Sequence, residues 1–261
     1  MNTVSEELIV EQDEGLAILR LNRPERLNAL SLGLLKRMAT EVPRLVSASH
    51  VRAIMITGMG RAFCAGGDLG SMAGPANAEV TLAGMRGFHP WLKMLWATEK
   101  PVITAVNGAA AGGGFGLAMM GDLIVASEDA FFKSAFTTLG IAADFGLAFT
   151  LPRVVGTTRA ADILFSDRRI AASEALAMGM ITHVFPTETF AADVLEFARA
   201  IARTSRGAQL TKRLLRHDQV DAFARYLELE AQTQTEAFQS LDFREGAAAL
   251  REHRAPVFQG H

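Results

Sequence analysis

Two clusters of glycine and alanine, each directly after an apolar strand-like segment, most constrain what this chain can fold into. The first reads Gly-Arg-Ala-Phe-Cys-Ala-Gly-Gly-Asp-Leu at residues 60–69, and the second reads Asn-Gly-Ala-Ala-Ala-Gly-Gly-Gly-Phe-Gly at residues 107–116. Glycine lets the main chain approach a ligand closely, and N–H groups at the start of a helix lack internal partners. Two such turns facing each other would direct two N–H groups at one oxygen, which is an oxyanion hole.

Composition is typical of a globular enzyme. The chain has 261 residues, 49% of them hydrophobic, and a net charge of −2, which predicts no partnership with nucleic acid or membrane lipid. Cys64 is its only cysteine, which favours a reducing compartment. Residues 1–7 are acidic and lack the basic and apolar regions of a signal peptide, so we expect a cytoplasmic protein. Residues 102–121 are uncharged, but their glycines favour a buried strand, turn and helix over a membrane span.

Hydrophobic spacing predicts strands alternating with helices in the first part of the chain, hence an α/β fold. Strands are predicted at residues 16–21, 51–57, 102–106 and 123–126. Residues 31–48 are predicted to form an amphipathic helix with Ser31 as its N-cap. From about residue 187 the pattern is helical, and the polar Gln234 interrupts one of its apolar stripes. The two stripes are Phe190, Val194, Phe197 and Ile201, then Phe223, Leu227, Ala231 and Phe238.

Three ordered motifs resemble the enoyl-CoA hydratase/isomerase (crotonase) superfamily, and the match covers nearly the whole chain. Residues 22–30 (Asn-Arg-Pro-Glu-Arg-Leu-Asn-Ala-Leu) resemble its first CoA-binding segment. Residues 63–69 resemble its first oxyanion turn, and residues 100–114 resemble its second. Residues 139–146, 151–156 and the tail from Asp242 to Phe258 are most similar to ring-1,2-epoxyphenylacetyl-CoA isomerases.

The resemblance implies a fold that periodicity alone does not predict. It implies a crotonase-like spiral of ββα repeats over residues 1–190 and a C-terminal helical trimerisation region over residues 191–261. The expected assembly is a homotrimer or a dimer of trimers. The expected substrate is an acyl-CoA. No metal and no cofactor is implied beyond the coenzyme A that the substrate carries.

The resemblance also assigns candidate site residues. The N–H groups of Gly67 and Gly113 match the two oxyanion donors. Arg23 and Arg26 match basic contacts to CoA, with Arg26 as the phosphate-binding candidate, and Ala65 would meet the adenine through its main chain. Asp68 and Asp122 follow glycine turns and are expected mainly to fix the main chain. The CoA-binding candidates carried over from the family pattern are Arg26, Leu27, Ala29, Ala65, Asp68 and Leu69, of which Leu69 would line the pocket.

The side chains depart from the two-glutamate pattern of the family's hydratases. Where those enzymes carry glutamates, this chain has Gly116 and Phe136, neither of which can ionise a water. Asp144 lies in an otherwise apolar run and matches the catalytic aspartate of ring-epoxide and some enoyl isomerases. A carboxyl group buried there would have a raised pKa suited to proton transfer. The alternative is that Asp144 caps the following helix by accepting the N–H of Gly146 or Leu147.

These features predict an acyl-CoA isomerase that stabilises a thioester enolate. A single acid/base, Asp144, would shift a double bond or open an aryl epoxide ring. Three alternatives stay open at this point: an enoyl-CoA hydratase that uses Asp144 alone, a dehalogenase or hydrolase that uses Asp144 as nucleophile, and a non-catalytic CoA-binding subunit. The aromatic residues Trp91, Phe115, Phe136 and Phe145 are candidates for an apolar acyl pocket.

Overall fold

The computed structural model describes residues 6–68 and 77–261, so Leu69 lies outside the described residues. The predicted α/β class is confirmed. The strands of the described residues are Leu8–Asp13 (β1), Leu16–Leu21 (β2), Ala53–Gly58 (β3), Ala62–Cys64 (β4), Val102–Val106 (β5), Ala109–Ala111 (β6), Leu123–Ser127 (β7), Phe131–Lys133 (β8), Arg169–Ala171 (β9) and His183–Phe185 (β10).

The helices follow the strands in alternation and then take over the C-terminal part of the chain. The α-helices of the described residues are Leu32–Ser47 (α1), Ala78–Ala97 (α2), Gly113–Ala118 (α3), Leu147–Val155 (α4), Thr157–Ser166 (α5), Ala172–Ala177 (α6), Phe190–Ala202 (α7), Arg206–Arg216 (α8), Val220–Gln239 (α9) and Leu241–Arg251 (α10). Short 3-10 turns cover Pro24–Arg26, Thr137–Leu139 and His217–Gln219. The predicted N-cap is confirmed, because Ser31 Oγ accepts the N–H of Leu34 at 3.0 Å.

Two sheets give the fold its spiral form. The described strands of the larger sheet run in the order β1-β2-β3-β5-β7-β10, and those of the smaller sheet in the order β4-β6-β8-β9. Three times in succession a strand of the larger sheet is followed by one of the smaller sheet: β3 by β4, β5 by β6 and β7 by β8. Because β3, β5 and β7 are parallel neighbours, the segments after their carboxyl ends meet at one edge of the sheet. Both glycine clusters lie in those segments.

The larger sheet is buried on both faces, as expected for parallel strands covered by helices. On one face, alternate strand residues such as Ile18, Met55 and Ile103 pack against α7. The predicted stripe on α7 is confirmed: Phe190 and Val194 are buried, and its other two members pack partly buried beside them. Ile54 and its neighbours on the opposite face join the main core.

Helix α9 closes the main core by packing along α2. Phe223, Leu227 and Ala231 of its predicted stripe are fully buried in that core. After α10 the chain folds back, so that the main-chain oxygen of His261 accepts the N–H groups of Leu241 and Asp242. The division into a spiral core and a helical region at residues 190 and 191 stays a prediction, and so does the trimeric assembly. In the described part of the chain, no helix combines the length and hydropathy needed to cross a bilayer.

Candidate active site

The first glycine turn lies beside the segment that resembles a CoA-binding region. Leu30 donates its N–H to Gly66 O at 2.8 Å, and its own oxygen accepts the N–H of Asp68 at 3.3 Å. These two bonds form a parallel bridge opposite Gly67. In such a bridge the central residue of the partner strand directs its own N–H away from the bridge. The N–H of Gly67 therefore points away from Leu30, and Gly67 is exposed.

The second glycine turn meets the first. Gly112 has a φ of 53° and precedes α3, whose first residue is Gly113. N–H groups at this position of a helix have no partner within the helix. A β-carbon at Gly66, where φ is 95°, would lie 3.3 Å from Gly113 N and 2.8 Å from Ala111 O. The two turns thus come together as predicted, and only glycine permits the contact. That Gly67 and Gly113 serve as oxyanion donors stays a prediction.

Asp144 lies against the second turn. A β-carbon at Gly113 would be 3.3 Å from Asp144 Oδ1. The residue as a whole is half-buried, but Oδ1 is enclosed and has no hydrogen-bond partner among the residues that the structure describes. Burial raises the pKa of Asp144 to about 7, against a smaller lowering by a hydrogen bond from Gln234. A carboxyl group with this pKa can take up and release a proton near neutral pH.

The capping alternative for Asp144 is wrong. Gly146, with a φ of 71°, is the N-cap of α4, and the Asp144 side chain accepts neither of the two predicted N–H groups. The N–H of Leu147 donates to the main-chain oxygen of Asp144 at 3.1 Å. The N–H of Gly146 donates to Glu230 Oε2 at 2.8 Å. The carboxyl group is therefore not used to hold the helix.

Two polar side chains of α9 hold the loop that carries Asp144. Gln234 Oε1 accepts the N–H of Ala142 at 2.9 Å, and Gln234 Nε2 donates to Asp144 Oδ2 at 3.3 Å. Glu230 Oε2 holds the N–H of Gly146 at the other end of the loop. Sequence reasoning missed both roles. The sequence feature that could have revealed them is the polar interruption of the apolar stripe on α9. Gln234 occupies a fully buried position in that stripe, and Glu230, one turn earlier, is also buried.

Glu230 is a second buried carboxyl group in this region. Burial raises its pKa well above the ordinary value, and the charge of Asp144 raises it further. The main-chain N–H groups of Gly146 and Phe145 lower this pKa in part. Glu230 Oε1 is enclosed and makes no hydrogen bond within residues 6–68 and 77–261. Tyr226, one turn earlier on α9, also has a raised pKa because of burial and the two carboxyl groups. The side of α9 that faces Asp144 therefore carries buried ionisable groups with raised pKa values.

One of the two positions of the hydratase glutamates, 116, is closed by the Asp144 loop itself. A β-carbon at Gly116 would lie 2.5 Å from Phe145 Cβ and 2.8 Å from Asp144 O. A glutamate at 116 therefore does not fit this arrangement. Phe136 is buried in the main core. In this structure the loop that supplies Asp144 takes the space that a side chain at 116 would need.

The aromatic pocket candidates do not all lie together. Phe145, with a φ of 53°, stacks on Phe88 with ring centroids 4.6 Å apart and meets Trp91 edge-on at 6.0 Å. Phe115 instead packs on Phe132, at a centroid distance of 5.3 Å. Phe145 and Trp91 thus border the Asp144 region, whereas Phe115 belongs to the core below the second turn.

The two arginines of the first CoA-binding segment differ in their surroundings. Arg23 is mostly buried, forms ion pairs with Glu7 at 3.0 Å and Asp68 at 2.8 Å, and donates to Ala29 O at 2.7 Å. Arg26 lies exposed on a 3-10 turn, and within the described chain no ion pair involves it. Asp68 therefore orders the first turn through Arg23. Arg26 keeps a guanidinium available to a ligand.

The remaining CoA candidates lie on the same surface as the first turn. The N–H of Ala65 donates to Leu27 O at 3.0 Å, and both residues are half-buried. Ala29 is buried beside them. Asp122 acts as expected, because its Oδ2 accepts the N–H of Val102 at 2.8 Å. The structure therefore gathers Arg26, Leu27, Ala29, Ala65 and Asp68 around the first glycine turn, while their contact with CoA stays a prediction.

Comparisons with known proteins agree with this geometry. A family model described as enoyl-CoA hydratase/isomerase matches residues 11–261. A probable enoyl-CoA hydratase of Rhodobacter capsulatus is 38% identical over 252 residues, covering 96% of each chain. A 1,2-epoxyphenylacetyl-CoA isomerase of Escherichia coli is 36% identical over 253 residues, covering 95% of this chain and 96% of that protein. The crystal structure of an enoyl-CoA hydratase/isomerase from Pseudoalteromonas atlantica has a TM-score of 0.88 at 31% identity, covering 97% of this chain and 99% of that one. The chain therefore belongs to the enoyl-CoA hydratase/isomerase family and is an acyl-CoA enzyme of the crotonase superfamily.

Proposed function

We propose that the protein is an acyl-CoA isomerase in which Asp144 is the single acid/base. The observation that carries this proposal is the placement of a buried carboxyl group, with a pKa of about 7 and an unpartnered Oδ1, against Gly113. A base at that place would reach the carbon next to a thioester whose oxygen is held by the second turn. General acid–base catalysis works best when the pKa of the group lies near the operating pH.

The reaction would run through an enolate. The thioester oxygen would accept the N–H groups of Gly67 and Gly113, which lowers the pKa of the neighbouring C–H group. Asp144 would take a proton from one carbon and return it to another, so that a double bond shifts along the acyl chain. With an aryl epoxide as substrate, the same carboxyl group would assist ring opening, a reaction that the name of the Escherichia coli relative suggests. Neither route changes the oxidation state of the substrate, so we propose no cofactor beyond the coenzyme A that the substrate carries.

Hydration is the less well supported reaction. Adding water to a double bond requires a group that positions and ionises the water, and positions 116 and 136 carry glycine and phenylalanine. The close contact of the Gly116 position with the Asp144 loop supports the same preference. A hydratase that uses Asp144 alone would need a second polar group on the substrate side of the loop.

Coenzyme A would bind along the first glycine turn. The exposed Arg26 would pair with a phosphate group, because charge-assisted bonds to phosphate are strong and directional. Leu27, Ala29 and Ala65 would contact the nucleotide through their main chain and small side chains. Asp68 would support them by holding Arg23, and Leu69 is proposed to line the pocket. The assembly that we propose is a homotrimer or a dimer of trimers.

A substrate panel tests the proposal. Purified protein is incubated with 3-enoyl-CoA, 2-enoyl-CoA and an aryl-epoxide acyl-CoA, while the absorbance of the conjugated thioester and the products are followed. We expect 3-enoyl-CoA to be converted to the conjugated isomer without uptake of water. We expect Asp144→Asn, which keeps the shape of the side chain, to lower turnover by about 10²- to 10⁴-fold while CoA-ester binding is retained.

Other outcomes of the panel identify the other reactions. A 3-hydroxyacyl product from 2-enoyl-CoA would show a hydratase. Release of free CoA, or of halide when a halogenated aroyl-CoA is added to the panel, would show that Asp144 acts as a nucleophile. Binding of every ester without turnover would show a non-catalytic subunit. Unchanged turnover in Asp144→Asn would remove Asp144 from the mechanism.

A further inference from the structure

The two carboxyl groups of Asp144 and Glu230 lie in one enclosed region. Gly146, which donates its N–H to Glu230, is two residues from Asp144 in the chain. Gln234, which donates to Asp144 Oδ2, lies one helical turn after Glu230 on the same face of α9. The charge of Asp144 accordingly acts on Glu230. No step of the isomerase mechanism described above uses Glu230.

Each carboxyl group has one oxygen without a protein donor. Asp144 Oδ1 faces Gly113, and Glu230 Oε1 is likewise enclosed and unpaired within the described ranges. A buried carboxyl oxygen in this condition requires a proton or a water molecule. Two carboxyl groups close together in a dry region cannot both ionise near neutral pH, because the second charge is opposed by the first. The pair therefore retains a proton where isolated carboxyl groups would have lost both.

A cavity of about 170 Å³ borders Glu230 and the loop residues next to Asp144. Its lining includes Glu230, Tyr226 and Thr233 of α9 and Ala142, Ala143 and Ala148 of the loop and α4. The residues around Gly113 do not line it, so it is separate from the place proposed for the thioester. This volume has room for several water molecules, each of which occupies about 30 Å³ in the liquid. Glu230 thus forms part of the wall of a space open to solvent, on the same helix as the Gln234 side chain that donates to Asp144.

We propose that Asp144 and Glu230 work as one acid–base unit, in which Glu230 exchanges the proton of Asp144 with water held in the cavity beside α9. Glu230 is a positioning and relay residue and does not touch the substrate. The inference rests on the proposed function only in assigning to Asp144 the proton of the substrate. It adds a route by which that proton reaches solvent from a carboxyl group that is itself enclosed.

The steps of the exchange balance without any co-reactant other than water. After Asp144 takes a proton from the substrate, the pair holds two protons. Glu230 releases one to a cavity water and becomes a carboxylate, then accepts the proton that Asp144 holds. A solvent proton returns along the same path to Asp144, which delivers it to the new carbon. No electron is transferred, and the pair ends with the one proton with which it began.

The other ionisable groups near the pair do not compete with this role. Tyr226 and Cys64 both have raised pKa values because they are buried, so both stay protonated near pH 7. The guanidinium of Arg153 lies 3.4 Å over the ring of Phe149 and donates to that residue's main-chain oxygen. Its charge lowers the pKa of Tyr226 but does not shift the pKa of Asp144 or Glu230. Burial is the main cause of the raised pKa of both carboxyl groups, and the charge of Asp144 raises the pKa of Glu230 further.

The test compares isotope exchange with turnover. The wild type, Glu230→Gln and the control Glu236→Gln convert 3-enoyl-CoA in heavy water, and the deuterium in the product is measured per turnover. Glu230→Gln keeps an oxygen for the N–H of Gly146 but cannot take up or release a proton as a carboxyl group does, whereas Glu236 lies exposed on the same helix. We expect a severalfold fall in deuterium incorporation in Glu230→Gln and no change in Glu236→Gln. Equal incorporation in all three proteins would overturn the inference.

A second measurement does not depend on activity, and its deciding arm uses the wild-type protein alone. The side-chain carboxyl carbons of Asp144 and Glu230 are titrated by NMR in the free wild-type protein. We expect two coupled steps that both residues report, collapsing to one step for Asp144 in Glu230→Gln. Independent single steps in the wild type would overturn the inference. If the wild type isomerises no acyl-CoA, the proposed function fails, and this titration still decides whether the carboxyl groups act as one unit.

Discussion

The two glycine turns and the Asp144 loop form neighbouring parts of one site, but they are held in different ways. The turns are built from main chain alone: Gly66 and Gly113 touch because neither has a side chain, and Leu30 fixes the first turn through main-chain bonds. The Asp144 loop is held by side chains of α9, with Gln234 and Glu230 bonded to its two ends. The close contact of the turns therefore requires glycines without side chains. The position of the loop instead requires hydrogen bonds to side chains that lie 84 to 92 residues away in the sequence. Substitutions should break the two regions in correspondingly different ways.

Gly114→Ala should have the largest effect on the glycine turns. Its β-carbon would lie 2.1 Å from Cys64 O, a main-chain atom that cannot move without displacing β4. We expect a loss of more than about 3 kcal/mol in the free energy of unfolding, measured by urea denaturation. Gly84→Ala is the matched control, because Gly84 lies in α2 with open space around it. It should be neutral or stabilising by up to about 1 kcal/mol. Equal effects at the two positions would contradict the close contact of the turns.

Asp144→Asn should stabilise the protein while it removes activity. The pKa of Asp144 is raised from an ordinary value of 3.8 to about 7, so the folded state binds a proton more tightly than the unfolded state. Its stability therefore falls as pH rises between these values, as the carboxyl group is forced to ionise in a dry place. Asparagine does not ionise, so the variant should be more stable than the wild type at pH 8 by up to about 4 kcal/mol. The gain should vanish towards pH 4. Denaturation at several pH values measures it, and a constant difference would contradict the shifted pKa.

Gln234→Met should loosen the Asp144 loop without creating a large cavity. The variant loses the bond to Ala142 and the bond that lowers the pKa of Asp144. The pKa should rise further, which moves the rising limb of kcat/KM to higher pH by about one unit. Activity at pH 7 should fall by about tenfold, since one bond to a charged group is worth about 1.5 kcal/mol or more. The exposed Gln232 on the same helix provides the control Gln232→Met. An unchanged pH profile would mean that Gln234 only packs.

Arg26→Ala should have the smallest effect of this series, and it separates binding from structure. The exposed Arg26 forms no ion pair in the part of the chain that the structure describes, so its loss should leave thermal stability unchanged. We expect KM for acyl-CoA to rise by about tenfold or less with kcat retained. Arg23→Ala should instead lower the melting temperature, because it removes ion pairs to Glu7 and Asp68. A lowered melting temperature in Arg26→Ala would reverse these assignments.

Sequence reasoning located the turn region because its signals are local. Glycines at 66, 112 and 113 directly follow strands, and Ser31 begins α1 as its position predicts. Asp144 was identified through its apolar surroundings and the family resemblance, but its partners were not. Gln234 lies 90 residues away and Glu230 lies 84 residues from Gly146, so no spacing rule connects them to the loop. Gln234 was visible only as a polar residue in an apolar stripe, and the pairing of Arg23 with Asp68 across 45 residues was likewise beyond local patterns.

The lack of a side chain at Gly116 has a consequence for redesign. Because Phe145 and the main chain of Asp144 fill that space, point substitution at 116 cannot convert this enzyme into a two-glutamate relative. A designer would have to rebuild residues 142–146 together with the residues of α9 that anchor them. Interconversion of the two chemistries therefore requires exchange of interlocking segments, because a side chain at 116 and the present Asp144 loop compete for the same space.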